Sequence, residues 1–227
     1  MRLTWYGHSN FLLQQNGATL LVDPFFDGNP NAPVTHEEIG KIDAVLLTHD
    51  HQDHVGQAVE ICRSRKVPLV GVFDTLKSLF AQGLPQDLGI GMNIGGTVQV
   101  AGVNVHMVQA MHSSATGAAT GFIITFPDGF CVYHSGDTGL FSSMQLFSVF
   151  HKIDLALLPI GGHFTMDPRQ AAYACKMLGC RKVVPMHWGT FPILEQGTEE
   201  FARQLDDSAP DTELVHIAPG QTVEVRK

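Results

Sequence analysis

The chain is short of cysteine, poorer in basic than in acidic residues and free of long apolar runs, and each shortage removes a class of function. Its four cysteines, Cys62, Cys131, Cys175 and Cys180, form no Cys-x-x-Cys pair, so a zinc ribbon is not encoded. They sit in apolar, periodic segments and read as buried free thiols of a reducing cytosol. Lysine and arginine total 14 against 22 aspartates and glutamates, a net charge of −8. That balance argues against unspecific attachment to nucleic acid or anionic lipid, although a local basic groove would survive it. No apolar stretch approaches the roughly 20 residues of a membrane-spanning helix. Met1-Arg2-Leu3 runs straight into a strand-like segment, without the charged and apolar regions of a signal peptide. The expectation is a soluble, cytoplasmic protein. No linker, low-complexity tract or charge block divides the 227 residues, and 44% of them are apolar. One domain over residues 1–227 is therefore expected, with an ample core.

What the chain has in quantity is histidine, 12 residues, set among alternating short strands and helices. Strands are predicted at Leu3–Tyr6, Phe11–Gln14 and Ala18–Val22, the last two joined by an Asn16-Gly17 turn. Ala44–Leu47 reads as a buried strand, Val55–Lys66 as a helix and Pro68–Val72 as a strand. Asp74 is a plausible N-cap for a helix at Thr75–Ala81, and the glycine-rich stretch Gly83–Gly96 reads as a connection. Further strands are expected within Thr97–Gln109, at Gly121–Phe126 and at Phe130–His134. Then come helix Leu140–Phe150, strand Leu155–Leu158, helix Pro168–Leu178, strand Lys182–Pro185 and helix Glu199–Asp206. Asp167-Pro168 gives the second of these helices an N-cap followed by proline at its first position. Strands near Glu213–Ile217 and Thr222–Val225 close the chain. Strand-rich blocks with interleaved helices in both halves suggest an α/β fold of two mixed sheets face to face, helices outside.

The densest chemistry is Thr48-His49-Asp50-His51-Gln52-Asp53-His54, directly after the strand Ala44–Leu47. His49 and His51, two apart, point to one side of an extended backbone and can share an ion. Asp53 and His54 continue the turn and suit a second ion close by. Imidazole nitrogen mixed with carboxylate oxygen is a donor set for Zn²⁺, with Mn²⁺ and Fe²⁺ as alternatives. Two ions need more ligands than this turn offers. His112, Asp137 and His187 each follow a predicted strand, and Gly136 and Gly139 permit a tight turn around Asp137. A metal that only staples a fold usually has a closed, cysteine-rich shell. No cysteine is implicated here, which favours catalysis.

The order His49-x-His51-x-Asp53-His54, His112, Asp137, His187 resembles the metallo-β-lactamase superfamily of binuclear hydrolases, over essentially the whole chain. Tyr6-Gly7-His8-Ser9, Asp23-Pro24-Phe25, the stretch Tyr133 to Phe141, the stretch Leu158 to Met166 and Pro185-Met186-His187 resemble, more narrowly, the UPF0173 metal-dependent hydrolases. These are related to the ascorbate-6-phosphate lactonases. The resemblance implies a four-layer αββα sandwich with the site along one edge of the sheets. It implies that His49, His51 and His112 bind one ion, that Asp53, His54 and His187 bind the other, and that Asp137 bridges them. Related redox di-iron enzymes generally carry glutamate at the position of His51 and a flavin domain that is absent here.

Two such ions share a water and lower its pKa from ~15.7 towards ~7, so that hydroxide attacks a carbonyl or phosphorus centre. Asp53 would hold one ion and help to move the proton. Catalytic or pocket roles are further expected of His8, in the turn after the first strand, and of His163, in the Gly161–Met166 loop. Asp23 is a candidate to orient a ligand histidine, and Asp50 a candidate for a similar supporting part. The expected substrate is a small ester, lactone or phosphodiester. An RNA or nucleotide phosphodiesterase and a non-catalytic metal or metabolite sensor are the alternatives. Homo-oligomerisation is left open.

Overall fold

The computed structural model describes residues 1–227. The first half of the chain runs β1 (Arg2–Trp5), β2 (Phe11–Gln15), β3 (Ala18–Val22), β4 (Ala44–Leu46), α1 (Gln52–Val55), α2 (Ala58–Arg65), β5 (Leu69–Val72), α3 (Phe73–Ala81) and β6 (Gly89–Met92). The second runs β7 (Thr97–Val100), β8 (Val103–Gln109), β9 (Thr120–Thr125), β10 (Cys131–His134), α4 (Met144–Phe150), β11 (Leu155–Pro159), α5 (Pro168–Leu178), β12 (Lys182–Met186), α6 (Glu199–Ser208), β13 (Glu213–Leu214) and β14 (Thr222–Glu224). Two seven-stranded sheets result, in the orders β14-β1-β2-β3-β4-β5-β6 and β13-β12-β11-β10-β9-β8-β7. Each has an antiparallel half and a parallel half, and most of the parallel neighbours are joined by helical crossovers.

Alternation along the central strands explains the layering. Leu20 and Val22 point into the core between the sheets, whereas Leu21 joins the layer beneath the helices of the first half. Leu155 and Leu157 of β11 likewise face the central core, and Ala156 and Leu158 face α5 and α6. A strand buried on both faces needs apolar side chains at every position, which is why β3 and β11 read as unbroken apolar runs. The expected αββα sandwich is the observed architecture.

Several boundaries differ from the sequence expectation, each for a local reason. The predicted helix Val55–Lys66 is two pieces, because Gly56 at φ 41° breaks α1 from α2. A Cβ at Gly56 would lie 2.3 Å from the Pro24 carbonyl oxygen, so this break is also where the chain packs against the turn after β3. Asp74 is not the N-cap of α3; the helix starts two residues earlier, at Phe73, and Val72 occupies that position. Gly83–Gly96 is not merely a connection, since it contains edge strand β6, parallel to β5. Its glycines conceal it: a Cβ at Gly89 would meet the Phe80 ring at 2.5 Å and one at Gly91 the Phe73 ring at 2.9 Å. The strand therefore lies close under α3 only because side chains are missing there. Helix α4 begins at Met144 rather than Leu140, and β13 is shorter than the predicted Glu213–Ile217. The Asn16-Gly17 turn is as expected, with both residues at positive φ (52° and 82°). Asp167 caps α5 by accepting a hydrogen bond from the Gln170 N–H at 2.7 Å.

Candidate metal centre

Parallel strands all end at the same side of their sheet, and the residues that follow those ends are collected at one edge. Here the histidine turn follows β4, Asp23 follows β3, Asp137 follows β10 and His187 follows β12, while His112 follows the antiparallel strand β8. The two sheets are tied together at this edge. Thr120 donates to the Thr48 carbonyl from both its N–H (3.1 Å) and its Oγ1 (2.7 Å).

Three overlapping groups of side chains converge, each with its ligand atoms within 4.8 Å of one another: His49, His51 and His112; His8, Asp53, His54 and His187; and His49, His54 and Asp137. All seven residues expected to hold metal are thus in one cluster, and His8 has joined it. Asp137 is at its centre. Its Oδ1 is 3.3 Å from His54 Nε2, and its Oδ2 is 3.0 Å from His187 Nε2 and 3.6 Å from His112 Nε2.

The orientation of the imidazoles is set from behind. Asp23 Oδ2 accepts from His54 Nδ1 at 2.7 Å and from Thr48 Oγ1 at 2.7 Å, and Asp23 Oδ1 accepts from the Thr48 N–H at 2.9 Å. With its proton spent on Asp23, the Thr48 hydroxyl accepts from His49 Nδ1 at 3.0 Å. Both His49 and His54 therefore carry a proton on Nδ1 and turn Nε2 inwards, the nitrogen that each would offer to an ion. Those two Nε2 atoms, with Asp137 Oδ1, are buried and have no hydrogen-bond partner. Each such group costs about 1–3 kcal/mol when left unsatisfied. Their convergence at one point fits a bound cation, and the donor set of imidazole and carboxylate suits a divalent transition ion.

Charge follows the same geometry. Burial opposes ionisation of Asp137, but His187 and His54 outweigh it and hold the carboxyl well below its usual range. Burial also works against a charge on His54, yet Asp137 and Asp23 push its pKa well above the ordinary histidine value in the metal-free protein. His49 is lowered by burial and by His54. Asp53 is lowered despite its burial, chiefly by the hydrogen bond from His8. His8 falls to about 4 through burial and the neighbouring His187. It is neutral at pH 7, and its contact with Asp53 is a hydrogen bond rather than an ion pair.

The remaining candidates separate clearly. Asp23 orients His54, as just described. Asp50 touches no histidine; its carboxylate accepts from Ser114 Oγ at 2.9 Å, the Ala115 N–H at 2.9 Å and both donors of Thr116. Those bonds fix the loop that carries His112. His8 is fully buried with both ring nitrogens engaged, so it faces the interior of the cluster and not a surface that a substrate reaches. His163 is exposed, packs its ring edge-on against Phe164 at 4.5 Å and belongs to none of the converging groups. Thr48 and Thr190 were not legible as site residues. Thr48 had one signal, a hydroxyl immediately before the first ligand; Thr190 had none.

Comparison with known proteins agrees with this geometry. A family model described as a beta-lactamase superfamily domain matches residues 18–188. A UPF0173 metal-dependent hydrolase of Nitratidesulfovibrio vulgaris is 55% identical over 98% of this chain and 94% of its own. One of Pyrobaculum aerophilum is 40% identical over 99% of this chain and all of the relative. Among solved structures, Igni18, a metallo hydrolase of the archaeon Ignicoccus hospitalis, superimposes with a TM-score of 0.89 at 39% identity, covering 98% of this chain and 97% of that one. With its ligand order, fold and relatives in agreement, the chain belongs to the UPF0173 metal-dependent hydrolases of the metallo-β-lactamase superfamily.

Proposed function

We propose that the cluster holds two divalent ions, zinc most readily, and hydrolyses a small ester, lactone or phosphodiester in the cytoplasm. His49, His51 and His112 would hold one ion, Asp53, His54 and His187 the other, with Asp137 between them. When bound, such a pair supplies Lewis acidity and hydroxide at neutral pH. The observation that carries this reading is the convergence of His49 Nε2, His54 Nε2 and Asp137 Oδ1, all buried and without partners.

The chain's own residues divide the remaining work. His51, Asp53 and His112 are partly exposed, whereas His49, His54, Asp137 and His187 are buried. A substrate therefore approaches over the first three. Asp53 carries the most accessible carboxylate of the cluster, 28% exposed against 3% for Asp137. Its Oδ2 accepts from His8, and Asp53 would both help to hold an ion and be the carboxylate nearest solvent for a proton released in hydrolysis. The tight turns at Gly136 and Gly161 bring the backbone against the ligands: a Cβ at Gly161 would lie 2.3 Å from the His187 carbonyl oxygen. A net charge of −8 supports a small-molecule substrate over nucleic acid.

Metal titration of the chelator-stripped protein tests the reading. Two equivalents should bind the wild type, and Asp137→Ala should lose both while keeping its far-ultraviolet circular dichroism. The reloaded wild type should hydrolyse members of a panel of aryl esters, lactones and bis-aryl phosphates. Full metal loading with no turnover on any of them would favour the sensor instead.

A further inference from the structure

We infer that His8, held in place by Thr190, is a positioning residue for the half-site of Asp53, His54 and His187. The inference rests on the two-ion reading above and adds to it a residue outside the ligand set. His8 lies in the turn between β1 and β2 at φ 55°, a left-handed conformation that is unfavourable for a non-glycine residue. Glycine or asparagine would make the same turn more easily. The imidazole there is engaged at both nitrogens. Nε2 lies 3.1 Å from Asp53 Oδ2 and Nδ1 lies 2.9 Å from Thr190 Oγ1.

A carboxylate only accepts, so Nε2 carries the proton and Nδ1 accepts from the Thr190 hydroxyl. The other acceptor near that hydroxyl, the Trp188 carbonyl, is more distant at 3.3 Å. Asp53 therefore fixes the tautomer, and Thr190 supports it by donating to the Nδ1 that would otherwise be buried without a partner. The same residue also grips His187. The two rings are 4.0 Å apart between centroids, and the His8 carbonyl accepts from the His187 N–H at 3.1 Å. Two of the three ligands of one half-site are thereby placed by one buried residue, and its own placement comes from the segment just beyond His187. The other half-site, His49, His51 and His112, has no contact of this kind with His8. A histidine kept only for packing would need shape, not a donor aimed at a partly exposed carboxylate.

Cobalt titration of the stripped protein, followed by visible absorption and by calorimetry, tests this without reference to turnover. His8→Asn keeps a residue suited to the left-handed turn, and Thr190→Val keeps the shape while removing the hydroxyl. Both should weaken binding of one ion by about 10–100-fold and leave the other at wild-type affinity. Thr190→Ser should restore the weakened site. The urea midpoints of the metal-free variants check that the fold is intact, and Thr190→Val remains decisive if His8→Asn does not fold. Equal affinities for both ions in Thr190→Val and the wild type would overturn the inference. So would equal weakening of both sites, which is the mark of a purely structural role. A wild type that takes up a single ion defeats the two-ion reading, and this inference with it, before any variant is compared.

Discussion

Asp23 has a crowded carboxylate for a residue that would touch no ion. Three donors converge on its two oxygens, from His54, the Thr48 hydroxyl and the Thr48 backbone, and it is wholly buried. Asp23→Asn replaces one accepting oxygen by a donor: at the position of Oδ2 both His54 Nδ1 and Thr48 Oγ1 lose their acceptor, and at the position of Oδ1 the Thr48 N–H does. Loss at His54 frees its tautomer, and loss at Thr48 frees the hydroxyl that orients His49. We expect metal affinity to fall about 10–100-fold in this variant, with the secondary structure unchanged, as read by competition with a chromophoric chelator. Wild-type affinity would show that the imidazoles are oriented by packing alone. The ligands and Asp23 were legible because histidines and carboxylates at strand ends are uncommon without a chemical reason. The hydroxyls were not, since threonine at such positions is ordinary. The contact that matters for Thr190 joins residues 182 positions apart, beyond any local pattern.

At the scale of elements, the turns count for more than the strands. Gly136 sits at φ 58° between β10 and Asp137, and its N–H donates to His134 Nδ1 at 3.2 Å. A Cβ there would lie 2.4 Å from the Thr120 carbonyl oxygen and 2.9 Å from Thr48 Cβ, the two residues that join the sheets. Gly136→Ala combines an unfavourable backbone with a clash against main chain that has no room to move. A loss of about 2–4 kcal/mol is expected in denaturant unfolding, together with loss of metal, because Asp137 is displaced. A stability within 0.5 kcal/mol of wild type, on the order of an ordinary surface change, would contradict this account. The turn was anticipated from glycine on both sides of the aspartate. Strand β6 was not anticipated, because its glycines carry no hydrophobic period and are there to clear Phe73 and Phe80. Helical spacing in Val55–Lys66 concealed the break at Gly56 for the opposite reason. The period continues through the break while the backbone does not.

For the molecule as a whole, the cluster is a liability until an ion is bound, and pH exposes it. His8 has a pKa of about 4 in the folded protein against roughly 6.5 in an unfolded chain. Buried His134 is lowered too, and its ring nitrogens are both committed, Nε2 donating to the Ser9 carbonyl and Nδ1 accepting from Gly136. His49 and His112 shift the same way. Below about pH 6.5 the unfolded chain binds protons that these folded histidines refuse, so stability must fall as the pH drops towards 4. His54 is displaced in the other direction. Its contribution is complete once the pH is below the unfolded value, and it adds no slope across this window. The depressed Asp53 and Asp137 add a further loss only as the pH falls below the ordinary carboxylate range. The metal-stripped protein should therefore have its highest urea midpoint near neutrality and lose stability steadily between pH 6.5 and 4. His8 alone would contribute on the order of 2–3 kcal/mol of that loss. Bound ions stabilise the folded state in proportion to their occupancy, so saturating zinc at pH 7.5 should raise the midpoint. That gain should shrink on acidification, as protons compete for the same nitrogen lone pairs. A stripped protein whose midpoint is flat from pH 7 to 4, or that gains stability on acidification, would mean that the buried histidines reach water before the fold is lost.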